Sequence, residues 1–477
     1  MHKVTPLHAT AVSNGVKTLL INVFDYAVLK NVFMPRFSAV FAAARETRCI
    51  VLIPASKREE FSELLTPLGF EVIARPQKYA SFWETAALFA ARNSIPTHTT
   101  RQLQEEGIDG SGRLPLIKYV CARILWIFGH SYVYRALLKK FLLLFFDAHL
   151  YDEILIQHKP DLVVATSTYA VDDIRLLKAS RTRRIPTIGM TKSWDNLTSK
   201  DALLVPPDHL LVHNDVVAAE ASFFHRYPRD RITVVGVPQF DWYADPSFML
   251  SREEFFSRMG LDPRKKLITY TAMGVWLVKH ERDIIRTLYR LVRENRLSQQ
   301  SQLLVRFHPA YPDEKRILQT EFPGLVVDQP GVPEGEERDA WKADWRFSTD
   351  DVRQLASTLQ HSDVVLNCGS TIILDTACFD TPMIGIAFDG DARERSYWAS
   401  AARLFERDHC KKVLETGGVR IVHTEEELVK ALDSYLDDPS LDSVGRGKIV
   451  AQQAGSLGKA SEHLARAILL TAETETT

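Results

Sequence analysis

Short apolar, β-branched runs alternate along this chain with segments whose apolar residues recur every three to four positions. The first pattern predicts strands and the second helices, because side chains repeat with a period near 2.0 on a strand and near 3.6 on a helix. Strands are expected over 18–23, 49–53, 161–166, 185–190, 209–213 and 231–235. A second series covers 266–271, 302–307, 325–328, 363–367 and 382–386, with helices at 58–68, 280–294, 350–359 and 424–436. Strands separated by helix-length stretches imply α/β units with parallel sheets and right-handed crossovers.

Turn formers crowd the run from Gly236 to Ser247, and Ser251 followed by Glu253 and Glu254 marks the capped start of a helix. The chain therefore divides into a first unit over 1–240, a linker over 241–264 and a second unit over 265–454. A last helical stretch follows from 455, with 473–477 expected to fray. Residues 330–349 are polar and aperiodic and are expected to form a loop. An insertion at 114–150 combines bulky apolar residues with Lys118, Arg123, His130, Arg135, Lys139 and Lys140. Such helices either cover one face of the first sheet or lie in a membrane interface with their cations toward anionic headgroups.

Composition narrows the options. The 477 residues are 45% hydrophobic and 25% charged, values of an ordinary globular protein. Lys plus Arg (59) nearly balance Asp plus Glu (60), which gives no reason to expect nucleic acid as a partner. Five cysteines without a C-x-x-C pair fit a reducing cytoplasm and argue against a structural zinc site. The N-terminus lacks the features of a secretory signal, and no apolar run reaches the roughly 18 residues of a spanning helix. The protein is expected in the cytoplasm, or peripherally on the inner face of the membrane.

Ligands of open parallel sheets bind beyond the carboxyl ends of the strands. Three strand ends of the second unit are suggestive. In Asn367-Cys-Gly-Ser-Thr, Gly369 permits a tight turn, and Ser370 or Thr371 caps the next helix. Free amides at that helix start are expected to face an anion such as a phosphate. Asp375 lies about 6 Å farther along the helix, within reach of ribose hydroxyls. In Arg306-Phe-His308-Pro, the cation and the imidazole share one face of a strand and form a candidate diphosphate clamp. After the strand 266–271, Gly274 lets backbone approach a ligand.

These segments together resemble the second domain of glycosyltransferase-B fold enzymes: Arg306-x-His308-Pro309, then SDVVLNCGSTIILDTACFDTPMIGI over 362–386. The wording is similar to the CDP-glycerol glycerophosphotransferase-like and UDP-N-acetylglucosamine 2-epimerase-like families. The stretch 437–469 also resembles their C-terminal helix, which crosses back to the first domain. The resemblance covers mainly 231–470. It implies two Rossmann-like domains whose parallel sheets face across a cleft, with a nucleotide-activated sugar as co-substrate and no further cofactor or metal. By it, His308, Ser370 and Thr371 hold the donor phosphates, and Asp375 sits near the ribose.

The first domain is then expected to bind the acceptor. Ser193-Trp-Asp-Asn196 resembles a segment of bacterial surface-carbohydrate biosynthesis proteins. An exposed Trp194 offers a flat face to a sugar ring, with Asn196 and Lys200 beside it. Asp195 is the first candidate for the base that activates an acceptor hydroxyl, Asp25 the second and His213 the third. The His-Gly-Thr of CDP-glycerol-type polymerases is absent from the sequence, which weakens polyol-phosphate transfer. The reading is a metal-independent glycosyltransferase acting on a surface polysaccharide or lipid-linked glycan. Nucleotide-sugar epimerisation and a non-catalytic assembly role are its rivals.

Overall fold

The computed structural model describes residues 16–33, 35–110, 115–274, 277–307, 314–334, 344–346, 348–391 and 396–475. Two parallel sheets dominate. The first contains β1 (Lys17–Asn22), β2 (Thr47–Pro54), β3 (Glu71–Arg75), β4 (Leu162–Ala165), β5 (Thr187–Met190), β6 (His209–Val212) and β7 (Ile232–Val234). Their order across the sheet is β3-β2-β1-β4-β5-β6-β7. The second contains β8 (Lys266–Thr271), β9 (Ser301–Arg306), β10 (Val326–Asp328), β13 (Val364–Asn367), β14 (Met383–Ile386) and β15 (Arg420–Val422). Its order is β10-β9-β8-β13-β14-β15. Both sheets thus reverse direction beside their first strand, the doubly wound pattern that opens a crevice at the carboxyl ends of neighbouring strands. These are two Rossmann-like domains.

Burial explains why the strands are legible. All four residues of β4, β13 and β14 are buried, because helices cover both faces of a parallel sheet. Two strands of the parallel sheets escaped the sequence reading, β3 and β15, and both are sheet edges. Each is short and only partly buried, so it lacks the continuous apolar run of a central strand. Within 330–349, expected to be loop, β11 (Val332–Glu334) and β12 (Asp344–Arg346) pair antiparallel as a small separate ribbon.

The segment between the domains consists of short turns at Pro238–Ala244 and Pro246–Phe248, followed by the helix Arg252–Met259. The expected cap is present: Ser251 Oγ accepts from Glu254 N at 3.2 Å, and Glu254 Oε2 accepts from Ser251 N at 3.0 Å. The last regular helix starts at Ala460, later than the expected 455, and runs to Thr474. Its start is capped from the linker, where the Asp241 carboxylate accepts from Ala460 N at 2.9 Å and Ser461 N at 2.8 Å. Gly236 makes this contact possible. It has φ +91°, and a Cβ there would stand 2.8 Å from Ala460 Cβ. The helix then returns to the first domain, burying Leu464 and Ile468 in the same core as Leu19, Ile21 and Phe37.

The insertion forms two helices, Leu116–Gly129 and Tyr132–Leu142. At the end of the second, Leu142 joins the cluster that contains Ala165 of β4. Both helices rest on the helix Phe82–Asn93, and of their residues only Ala122, Gly129, Arg135 and Leu142 are buried. Among the described residues, no helix is long and apolar enough to cross a membrane.

Candidate functional site

A cavity of about 1090 Å³ lies between the two domains, at the carboxyl ends of β8, β9 and β13. Lys30, Arg92, Lys200, Lys279, Arg306, Arg403 and Arg407 line it against Glu106, Asp195 and Asp351. Among the described residues, seven cations against three carboxylates give the cavity an excess of positive charge, in a chain whose net charge is −1. Of the residues singled out in the sequence, Trp194, Asp195, Lys200, Arg306, Gly369, Ser370 and Thr371 line this cavity. His308 lies outside the described residues.

The turn after β13 differs from the expectation in an instructive way. Gly369 adopts φ +98°, as a tight turn requires. The amides of this turn are not free, however. Asn367 Oδ1 accepts from Gly369 N at 2.7 Å and from Ser370 N at 2.6 Å. The turn after β8 is closed in the same manner, with the Glu281 carboxylate accepting from Met273 N at 2.6 Å and Gly274 N at 2.7 Å. Gly274 does not line the cavity. The chain's own side-chain oxygens therefore occupy the Gly369 and Ser370 amides ahead of the helix start. The Ser370 and Thr371 side chains remain on the cavity wall.

Asp375 also departs from its expected place. It is buried on the helix Ile372–Ala377 and accepts from Tyr243 Oη at 2.6 Å. Burial pushes its carboxyl up to about 6, and it does not line the cavity. Arg306 is buried, forms an ion pair with Asp328, and donates to Asp351 O at 3.4 Å. It borders the cavity as part of a fixed network on the second sheet.

On the first domain, the expected open indole face is covered. Trp194 is only 6% exposed and meets His409 of the second domain edge to face. Asn196 is buried and closes its own turn, accepting from Lys192 N at 2.9 Å and Ser193 N at 3.0 Å. Asp195 faces Lys200, with Oδ2 2.6 Å from Nζ. Burial alone would raise its carboxyl, but the ammonium of Lys200 holds it below the usual range. Asp195 is therefore ionised at neutral pH.

The other two candidate bases stand apart from the cavity. Asp25 caps the helix Tyr26–Val32, accepting from Val28 N at 2.8 Å, and pairs with Lys192. Close by, the buried Asp173 accepts from Asn22 Nδ2 at 2.7 Å and Ser167 N at 3.0 Å, and burial pushes it up to about 7. His213 is half-buried at the end of β6, and burial pushes its imidazole down to about 4.

Several cavity residues were not anticipated. His409 is buried, its Nδ1 has no hydrogen-bond partner, and burial holds its imidazole down to about 4. Arg403 and Arg407 both reach Glu106 of the first domain, at 3.2 and 3.3 Å. Beside them Asp408 Oδ2 accepts from Thr99 N at 2.6 Å, and Lys412 lies 2.6 Å from Glu220. The segment Arg403-Leu-Phe-Glu-Arg-Asp-His409 is thus the second domain's main polar contact with the first. Its density of charge was the available signal, but nothing in its spacing fixed its position.

Comparison with protein-family models and with curated proteins finds no match. Solved structures do match, over nearly the whole chain. A 2-epimerase structure from Listeria monocytogenes, described as a putative UDP-N-acetylglucosamine 2-epimerase, has TM-score 0.55 at 11% identity, covering 97% of both chains. The UDP-GlcNAc 2-epimerase of Neisseria meningitidis bound to UDP-GlcNAc has TM-score 0.55 at 10% identity, covering 95% of this chain and 100% of that one. The UDP co-structure of S. aureus MnaA has TM-score 0.54 at 13% identity, covering 95% and 96%. The chain shares their fold, two Rossmann-like domains of the glycosyltransferase-B type.

Proposed function

We propose that the protein is a glycosyltransferase that binds a nucleotide-sugar in the interdomain cavity and transfers the sugar to a glycan or lipid-linked acceptor. The observation that carries the reading is the electropositive cavity at the carboxyl ends of the second sheet. A nucleoside diphosphate carries its negative charge where such a cavity would concentrate it. Ser370 and Thr371 hydroxyls and the exposed Lys279 are donors for a departing diphosphate, and Arg407, paired with Glu106, adds charge beside them. The volume of about 1090 Å³ lies at the upper end of ligand clefts, about 300–1,000 Å³, and suits a ligand the size of a nucleotide-sugar.

The base is drawn from the first domain and its contact with the second. Ionised Asp195 and neutral His409 adjoin across the cavity wall. The ionised Asp195 carboxylate on the cavity wall is the candidate to take a hydroxyl proton, and the buried His409 packed beside it is a positioning residue. Epimerisation of the nucleotide-sugar is the second reading, favoured by the activity named for the Neisseria and Listeria structures.

One assay separates them. The protein is incubated with UDP-, CDP- or GDP-sugars, first alone and then with a membrane glycan fraction. Release of nucleotide only when acceptor is present supports transfer. Conversion of the sugar with no acceptor supports epimerisation and overturns transfer.

A further inference from the structure

The two insertion helices carry an amphipathic pattern that faces the wrong way for a water-soluble domain. On Leu116–Gly129, Ile117, Val120, Ile124 and Ile127 recur at helical spacing, and all four are exposed. On Tyr132–Leu142, Val133, Leu137 and Phe141 form a second exposed stripe, 66%, 63% and 56% accessible. Such stripes ordinarily face a core. The patch continues into the first turn of the helix Phe82–Asn93. Trp83, 60% exposed, stacks on Phe145 at 5.6 Å, and Phe145 meets the exposed Phe141 at 5.3 Å. An apolar surface joined across three elements marks a binding face.

Its charge identifies the partner. Residues 115–146 contain five Lys and Arg and not one Asp or Glu, in a chain whose charges nearly balance overall. Arg123 and Arg135 are engaged internally, Arg123 with Glu105 and Arg135 with the Gly129 and Phe224 carbonyls. Lys118 and Lys140 are exposed, as is Arg226 beside Phe224. A second copy docked on the same face would set these cations against their own images with no carboxylate in the patch to meet them. An anionic bilayer surface matches both properties, accepting apolar and aromatic side chains at headgroup depth and attracting cations at the rim.

We infer that this face seats the first domain on an anionic phospholipid surface. The helix Phe82–Asn93 links that surface to the cavity. Its first turn carries Phe82 and Trp83, and its last turns carry Phe89, Arg92 and Asn93 on the cavity wall. About 13 Å of helix separates Trp83 from Arg92 at 1.5 Å per residue. The inference stands on the surface alone and does not rest on the chemistry proposed for the cavity.

The test is co-sedimentation of the full chain, without nucleotide, with vesicles of phosphatidylcholine or of phosphatidylcholine and phosphatidylglycerol. Wild type is expected to pellet with the anionic vesicles. Binding should fall as salt rises from about 0.1 to about 1 M, where the screening length shrinks from about 10 to about 3 Å. Ile117→Ser combined with Val133→Ser and Leu137→Ser should lower the partition constant at least about tenfold, with an unchanged melting midpoint because all three side chains are exposed. Absence of binding to anionic vesicles, or equal binding by the triple variant, overturns the proposal. So does a wild-type dimer that the triple variant converts to a monomer, which would make the face a contact between copies. None of these outcomes bears on nucleotide-sugar chemistry, which is read in the separate assay.

Discussion

Trp194 of the first domain and His409 of the second meet edge to face, with ring centroids 4.8 Å apart and planes at 63°. The contact closes one side of the cavity and brings two residues far apart in the chain to the carboxylate of Asp195. It converts an indole expected to lie open to sugar into a wall that positions an imidazole.

Loss of either partner should therefore act on turnover. Asp195→Asn is expected to lower kcat by about 10²-fold or more, the usual size of a general-base contribution, and His409→Ala, which unpacks the wall beside it, is expected to lower it less. His409→Gln keeps the packing against Trp194 and should lose activity while retaining the melting temperature. Wild-type turnover in all three variants would remove the pair from the chemistry.

The same imidazole carries a pH signature in stability. Its folded value is about 4 against an ordinary 6.5, so the unfolded chain takes up the proton first as pH falls. Its contribution is complete above pH 6.5 and is lost as the pH drops toward 4. Between pH 6.5 and 5 the loss amounts to about 2 kcal/mol, at 1.36 kcal/mol per unit. The urea midpoint of wild type should fall relative to that of His409→Gln over that range, and a constant difference would contradict the neutral buried state.

Asn367 holds the turn below the cavity from both ends. Its Oδ1 accepts from the Gly369 and Ser370 amides, and its Nδ2 donates to Thr271 O and Oγ1 at 2.9 Å each. Asn367→Ala orphans several buried groups, at about 1–3 kcal/mol per unsatisfied group. A loss of about 3 kcal/mol or more is expected in chemical denaturation. Asn367→Asp keeps the acceptor and should lose less.

Glu106 neutralises Arg403 and Arg407 across the domain boundary. Glu106→Gln leaves both guanidinium groups without that partner, which lowers the melting temperature of the free protein. A bound diphosphate would supply the missing charge. The thermal shift given by the preferred nucleotide should therefore be larger in Glu106→Gln than in wild type, where about 2.7 kcal/mol is expected at 100 times the dissociation constant. An equal shift would separate these arginines from the ligand.

The fold was legible because buried parallel strands announce themselves as apolar runs, as in Val364-Val-Leu at the centre of the second sheet. What stayed hidden was decided by neighbours distant in sequence. The edge strands Glu71–Arg75 and Arg420–Val422 are half-exposed and read as surface. The strand-end glycines were located correctly, but the partners of the amides beside them were not. Glu281 and Asn367 serve as those partners, and a motif does not reveal which oxygen reaches a turn first. Asp375 looked like a ligand-facing carboxylate by its helical position, yet Tyr243 from the linker claims it. His409, Arg403 and Arg407 were missed because their significance arises only when the domains meet.

The returning helix Ala460–Thr474 sets an order on the birth of the molecule. Leu464, Ala465, Ile468 and Ala472 complete the core around Leu19 and Phe37, and Lys17 Nζ donates to Ala472 O at 3.1 Å. A domain whose strands are synthesised first therefore waits for residues made after the entire second domain. Until they arrive, a nascent chain presents the apolar flank of its first sheet uncovered, the period in which such chains aggregate or need a chaperone. The chain is split into two domains by architecture, but the core of the first is closed only by residues from beyond the second.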